Sequence, residues 1–361
     1  MSIPVLIMAG GTGGHVFPAL AVARLLRERQ CEVTWVGTQR GLEARVVPAN
    51  GFAIEWLAVA GLRGKGALTW LVAPVRLLMA LRQALAIVRR RRPAVVLGVG
   101  GFVTGPGGIA AWLLGRPLVI HEQNAIAGLT NRLLSRFSRE VLEGFPGSFP
   151  KRVPVRCVGN PVRRDISAVA APEQRFRTRT GPVRLLVFGG SLGAARLNEV
   201  VPRALAALPA GVRPEIWHQA GERGLAQALE AYRQAGVTAR IDAFIEDMAA
   251  AYAWADLVIC RAGALTVSEL AAVGLGAILV PFPSAVDDHQ THNARYLTEA
   301  GAAILIPENE LTVDRLAREL GALCTEPARL LEMARRARAR AMPDAAETLA
   351  QAVLDAAEVA A

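Results

Sequence analysis

Acidic residues are missing from one long stretch of this 361-residue chain: between Glu55 and Glu122 there is no Asp or Glu. The same stretch holds Arg63, Lys65, Arg76, Arg82, Arg89, Arg90, Arg91, Arg92 and Arg116, nine cations that supply nearly the whole net charge of +10. Other scarcities also restrict the reading. The four cysteines (Cys31, Cys157, Cys260, Cys324) match no metal or disulfide spacing and fit buried thiols in a reducing compartment. With three tyrosines and no basic–aromatic repeat, a nucleic-acid surface is disfavoured. No Gly-Lys-(Ser/Thr) follows a glycine turn, which excludes an ATP-type P-loop. No apolar run reads as a membrane span. Residues 66–88 are broken by Pro74, Arg76 and Arg82, and residues 93–115 carry seven glycines and two prolines. Apolar Pro4–Met8 runs straight into a glycine turn, so no signal peptide is expected.

What the chain does contain is a repeated punctuation. Residues 5–20 read as a short apolar run, then Gly10-Gly11-Thr12-Gly13-Gly14-His15, then a helical pattern. Residues 185–197 repeat it with Gly189-Gly190-Ser191-Leu192-Gly193, 179 positions later. Such runs are too short and apolar for anything but buried parallel strands. The glycines permit a tight turn, and the following helix offers unpaired N–H groups to an anion. Alternating strands and helices predict an α/β fold of two doubly wound parallel-sheet domains facing each other across a cleft. Strands are predicted at Val5–Met8, Val33–Val36, Val95–Val99, Leu118–Ile120 and Val155–Val158. After a linker over Gly159–Pro182 they resume at Leu185–Phe188, Glu215–His218, Leu257–Cys260, Ile278–Val280 and Ala303–Ile306. Helices are predicted over Pro18–Arg29, Leu42–Asn50, Leu68–Arg91, Gly128–Arg136 and much of Glu326–Ala361, with Pro18 in a first turn.

Several motifs fall at predicted strand ends. Val16 stands where a dinucleotide fingerprint needs its third glycine, and no acid follows Val36 to hold a ribose, so an NAD site is disfavoured. His15 at a helix N-terminus is a candidate neutral base. Gly98-Val99-Gly100-Gly101-Phe102-Val103-Thr104-Gly105-Pro106 is a second glycine turn in the same half, followed by the polar run His121-Glu122-Gln123-Asn124. Gly189-Gly190-Ser191-Leu192-Gly193 formally matches a hydrolase elbow, with Asp287 and His289 behind it; the mirrored Gly-Gly-Thr loop instead suggests that Ser191 serves a phosphate. In Arg261-Ala262-Gly263-Ala264-Leu265-Thr266-Val267-Ser268-Glu269, Thr266 and Glu269 have the spacing of a capping box. The alternative is that Glu269 grips a ribose diol while Arg261 and the helix start face a diphosphate. Asp287-Asp288-His289-Gln290 does not read as a metal cluster, because neighbouring side chains diverge.

Taken in order from residue 5 to about residue 300, these motifs and Gly159-Asn160-Pro161-Val162-Arg163 resemble the family 28 N-acetylglucosaminyltransferases of peptidoglycan synthesis. The resemblance implies a GT-B fold: residues 1–161 for the acceptor and membrane, residues 162–340 for the UDP-sugar, and a C-terminal helix within 341–361 packing back on the first. It implies inverting transfer of N-acetylglucosamine from UDP-GlcNAc to the muramyl 4-hydroxyl of undecaprenyl-diphosphoryl-N-acetylmuramyl-pentapeptide, with no cofactor and no metal. Carried onto this chain, the donor contacts are Thr12, Gly13, Gly14, Asn124, Arg163, Ser191, Ile245, Ala264, Leu265, Thr266, Val267, Ser268, Glu269 and Gln290. Phe244 and Ile245 would form the uracil pocket. The acceptor would lie on Gly100, Gly101, Thr104 and His121, with His15 as the base and Glu122 the second candidate. Phe102 stands where tyrosine is frequent in the family, which removes a hydroxyl contact, and Arg164 beside Arg163 leaves the sugar-binding arginine open. The basic–apolar stretch containing Leu68, Trp70, Leu71, Arg76, Leu77, Leu78 and Arg82 is expected to dock on anionic lipid at the cytoplasmic face of the cell membrane. A core helix with a solvated basic face is the plainer alternative. A UDP-GlcNAc 2-epimerase on the same scaffold would need no such surface, and a sugar-nucleotide-binding regulator would not need glycine loops in both halves.

Overall fold

The computed structural model describes residues 2–59, 67–190, 193–283, 285 and 288–359, with only the backbone at 67–72. The chain forms two compact units. One comprises residues 1–163 with 342–361, the other residues 164–341.

In the first unit, β1 (Pro4–Ala9), β2 (Glu32–Gly37), β3 (Ala53–Trp56), β4 (Val95–Gly100), β5 (Leu118–Glu122), β6 (Glu140–Glu143) and β7 (Arg156–Cys157) make a seven-stranded sheet in the order β3-β2-β1-β4-β5-β6-β7. Each pairing among them is parallel. Both faces are covered, and the two-residue period of a strand sorts the side chains between them. Val5, Ile7, Trp35, Leu97 and Val99 pack with the helix Gly13–Glu28 and with Leu349, Val353 and Ala356 of the helix Ala345–Glu358. Leu6, Met8, Val36, Val96 and Ile120 pack on the other face, with Ala84, Ile87 and Val88 of the helix Ala67–Arg91.

The second unit repeats the plan. Here β8 (Arg184–Phe188), β9 (Glu215–Gln219), β10 (Arg240–Asp242), β11 (Leu257–Cys260), β12 (Gly276–Leu279) and β13 (Ala303–Leu305) form the order β10-β9-β8-β11-β12-β13, again parallel. Each sheet reverses its winding once, between β1 and β4 and between β8 and β11. In open α/β sheets ligands bind beyond the carboxyl ends of strands at such a switch point, and the glycine motifs stand there.

Four expectations change. The helix predicted from Pro18 begins at Gly13, so Pro18 lies inside it; the intrahelical bond that proline forgoes would have gone to the carbonyl of Gly14. The expected linker over Gly159–Pro182 contains two short helices, Arg164–Ser167 and Pro172–Arg177. The C-terminal stretch is two helices, Pro327–Arg338 and Ala345–Glu358, and the second packs on the first sheet. Strands β3, β6 and β10, beyond those predicted, lack the apolar runs that mark the other strands. Among them β3 and β10 are edge strands, each paired on one side only. In β6 the apolar pair Val141-Leu142 is flanked by acids, one of which, Glu143, is buried because it accepts from the amides of Gly147 (2.9 Å) and Ser148 (2.8 Å).

Candidate active site

At the first switch point β1 runs into the Gly10–Gly14 turn and the helix Gly13–Glu28. Thr12 is its N-cap in extended conformation with no side-chain capping bond, so the first-turn amides at Gly13 and Gly14 have no intrahelical partner. The turn is braced from beneath by a residue that the motifs did not reveal. Glu43 is fully buried, and its carboxylate accepts from Gly11 N at 2.9 Å, Thr38 N at 2.9 Å and Thr38 Oγ1 at 2.8 Å. Its only sequence signal is an acid just after the turn that follows β2.

The second glycine turn lies against the first. Gly101, at φ +85°, is so close to Gly10 that a Cβ would collide with the carbonyl of Gly10. Gly100, at φ +114°, lies under the His15 ring, where a Cβ would come within 2.8 Å of Nδ1 and Cε1. Both glycines therefore serve close approach as well as backbone conformation. Thr104 and His121, expected as acceptor contacts, are wholly buried and present no surface to a ligand. The Thr104 hydroxyl ties strand ends together, lying 3.1 Å from the Met8 carbonyl and 2.8 Å from that of Gly100. His121 Nε2 bonds the Gly159 carbonyl at 2.9 Å, and burial pushes its pKa down to about 4. Their contribution is positional.

The two base candidates have different surroundings. His15 is half-buried, with Nδ1 2.6 Å from Gln123 Oε1. Glu122 is buried, and its carboxylate accepts from Asn124 N (3.0 Å), Asn124 Nδ2 (3.2 Å), Gly128 N (3.1 Å) and Asn131 Nδ2 (2.9 Å). Those four donors shape the turn after β5 and hold Asn124 in place.

At the second switch point, Gly190 (φ +87°) and Gly193 (φ +73°) make the turn after β8, pinned by Gln219 Nε2 on the Gly190 carbonyl at 2.9 Å. Ser191 lies outside the described residues. After β11 the helix Ala264–Val273 starts with Gly263 as its N-cap. Its first-turn amides at Ala264, Leu265 and Thr266 therefore point out of the helix end, the arrangement that binds phosphate. Gln290 holds the approach to this helix, accepting from Ala262 N at 3.2 Å and Phe282 N at 2.9 Å.

This geometry removes the capping-box alternative, because Thr266 is inside the helix and Glu269 accepts instead from the Tyr252 hydroxyl at 2.9 Å. Leu265, Thr266, Ser268 and Glu269 are partly exposed. Val267 is not: it is fully buried, and its N–H is spent on the Gly263 carbonyl, so the expected donor contact there is replaced by a core role. Arg261 is likewise committed elsewhere. Its guanidinium pairs with Glu308 and donates to the carbonyls of Val280 (3.2 Å) and Pro281 (3.1 Å). An arginine so paired brings no net charge to a diphosphate. Ile245 is buried beside exposed Phe244, and Arg163 is the last residue of the first unit before the chain enters the second.

Two parallel sheets of this order, each with a glycine turn and a helix start at its switch point, are the architecture of the GT-B class. The profile of the glycosyltransferase family 28 N-terminal domain matches residues 5–143 and that of the C-terminal domain residues 184–349. The chain belongs to glycosyltransferase family 28. It is similar to a UDP-N-acetylglucosamine–N-acetylmuramyl-(pentapeptide) pyrophosphoryl-undecaprenol N-acetylglucosamine transferase from Alkalilimnicola ehrlichii, 61% identical over 98% of this chain and 99% of the relative. A protein of the same name from Nitrosococcus oceani is 58% identical over the same shares. The crystal structure of Acinetobacter baumannii MurG superposes with a TM-score of 0.86 at 40% identity, covering 98% of this chain and 99% of that one.

Proposed function

We propose that this enzyme transfers N-acetylglucosamine from UDP-GlcNAc to the 4-hydroxyl of the muramyl sugar in undecaprenyl-diphosphoryl-N-acetylmuramyl-pentapeptide, with inversion. The observation that carries this reading is the 61% identity, over nearly all of both chains, to a transferase whose name states that donor and that acceptor. The local geometry supports a division of roles. UDP is held in the second unit, its diphosphate by the amides of Ala264, Leu265 and Thr266 and by Ser191, its ribose by Glu269, its uracil beside Ile245. Oriented N–H groups at a helix start stabilise the charge that develops as UDP departs, and no metal is required.

The acceptor is held in the first unit, along the glycine turn at Gly100 and Gly101. His15 takes the proton of the attacking hydroxyl as its oxygen bonds the anomeric carbon and the bond to UDP breaks. Glu122 is the weaker candidate, since four protein donors already occupy its carboxylate.

The first unit also carries the membrane surface. Val75, Leu77, Leu78 and Met79 on the helix Ala67–Arg91 are each half exposed or more, and Arg76 and Arg82 flank them. Exposed Trp112, Leu113, Leu129 and Leu133 extend the apolar surface on that unit, and Trp112 packs on Phe137 at 4.6 Å. Apolar side chains among cations suit an anionic lipid face, here the cytoplasmic face of the membrane that holds the acceptor. Among the described residues no helix is long and apolar enough to cross a membrane. Leu68, Trp70 and Leu71 belong to this reading by sequence, with side chains outside the described residues.

The test is transfer of radiolabel from UDP-GlcNAc to a lipid-linked muramyl acceptor, with EDTA present. Label in a disaccharide-lipid product is expected. Activity lost to EDTA and restored by manganese would overturn the metal-free reading; altered sugar after incubation with UDP-GlcNAc alone would favour an epimerase.

A further inference from the structure

Three side chains and one carbonyl form a chain of hydrogen bonds that begins in the core of the first unit and ends at His15. His121 Nε2 is 2.9 Å from the carbonyl oxygen of Gly159, His121 Nδ1 is 2.9 Å from Gln123 Nε2, and Gln123 Oε1 is 2.6 Å from His15 Nδ1. Each link has only one possible direction once the first is fixed. A carbonyl oxygen only accepts, so His121 carries its proton on Nε2 and turns a lone pair on Nδ1 toward Gln123. Burial keeps His121 neutral, with a pKa near 4. The Gln123 amide nitrogen also donates to the His121 carbonyl at 2.8 Å, so two acceptors hold the amide in one orientation. Its oxygen must then face His15, and an amide oxygen cannot donate. His15 Nδ1 therefore carries the proton.

The anchor is itself secured. Gly159 sits at φ +84°, against Met342, and the next residue, Asn160, donates to the Gln123 main-chain carbonyl at 3.0 Å. Gln123 is thus gripped at both its backbone and its side chain. On the other side, the backbone of Gly100 closes the space beside the His15 ring. Among the described residues, Nε2 of His15 has no hydrogen-bond partner.

We infer that Gly159, His121 and Gln123 act as a relay that sets the tautomer of His15, leaving the lone pair of the neutral imidazole on Nε2. Gln123 and His121 are positioning residues; only His15 meets the substrate. The inference rests on the reading of His15 as base. In the reaction the hydroxyl proton goes to Nε2, the hydroxyl oxygen bonds the anomeric carbon, and the bonding pair leaves with UDP. The resulting imidazolium keeps its Nδ1–H on Gln123. A neutral amide at this place orients the ring without adding a negative charge, unlike the carboxylate of a Ser-His-Asp triad.

Long-range proton–nitrogen NMR correlations of the full-length protein test the relay directly, because the chain has five histidines and His15→Gln identifies one set of signals. The neutral wild-type ring is expected to carry its proton on Nδ1. Gln123→Met, which can neither accept nor donate there, is expected to move that proton to Nε2. It should also lower kcat about 10–100-fold with the KM for UDP-GlcNAc unchanged, less than the ~10²–10⁴ that the base itself supplies. Gln123→Glu keeps the oxygen that faces His15 and is expected to restore Nδ1–H, with kcat recovered only in part because its second oxygen meets two acceptors on His121. A wild-type ring protonated on Nε2, or one whose tautomer ignores Gln123→Met, would overturn the relay. Near-normal turnover by His15→Ala would instead remove the base assignment and leave the tautomer result to stand on the spectra.

Discussion

The two units share a strand order and a glycine turn, yet they stabilise that turn by different means. In the first, an internal carboxylate, Glu43, already occupies the Gly11 amide, and the ring of His15 fills the space above Gly100. In the second, the turn is held by Gln219 and by close approach of Gly193 to the Ala220 carbonyl, while the neighbouring helix start at Ala264–Thr266 keeps its amides open. One scaffold has been specialised twice. An anion built into the first loop weakens its pull on further anions and frees it to position a base; the second is left to hold a diphosphate.

The sharpest way to break this contrast is kinetic. His15→Ala is expected to lower kcat by ~10²–10⁴ with little change in the KM for UDP-GlcNAc. If turnover survives while Glu122→Ala loses about a thousandfold, the order of the two bases is reversed. Each unit also buries one histidine, and acid exposes both. His121 titrates at about 4 and His218 at about 3, in each case chiefly because burial disfavours the charged ring. An unfolded histidine titrates near ~6.5, so the unfolded chain binds these protons first. Stability is full above ~7 and falls as pH drops from ~6.5 toward 4, by about 3 kcal/mol for His121 alone. Denaturant midpoints measured across that range should fall, and His218→Gln should flatten the decline in the second unit only.

The bracing predicts smaller losses. Glu43→Ala strips partners from buried donors and is expected to cost the first unit about 3 kcal/mol. Gly193→Ala places a Cβ against the Ala220 carbonyl at positive φ and is expected to cost the second about 2 kcal/mol; two-domain denaturation curves would separate the losses. Glu269→Gln is expected to raise the KM for UDP-GlcNAc about tenfold, the size of one charge-assisted hydrogen bond, with kcat little altered. A kcat defect of the same size would blur the proposed division. Least in size, Leu77→Ser with Leu78→Ser should weaken binding to anionic vesicles several-fold while turnover of a short-chain acceptor holds; unchanged vesicle binding would count against the lipid surface.

The sequence made visible what depends on local repetition. Strands β1, β4, β5, β8 and β11 are apolar runs buried on both faces, and the glycine turns after them mark the switch points. The site residues at those turns were legible for the same reason. Less visible was anything fixed by distant partners. Nothing near Glu43 announces that its carboxylate supports a turn 32 residues earlier. The pairing of Arg261 with Glu308 spans 47 positions, which is why a lone arginine beside a helix start read as a diphosphate ligand. Val267 shows the converse error: a motif read as a continuous strip on a helix necessarily includes a residue that turns inward, because the helix repeats every 3.6 residues. Gln123 was in view within a polar run, but its role depends on a carbonyl contributed by Gly159.

The helix Ala345–Glu358 supplies Leu349, Ala350, Val353 and Ala357 to the hydrophobic layer on one face of the first sheet. During synthesis that layer stays open until the intervening 178 residues, 164–341, have emerged. The half that is translated first is therefore the half that finishes folding last, and a chain truncated before Ala345 would carry a complete second unit and a first one with its greasy face uncovered.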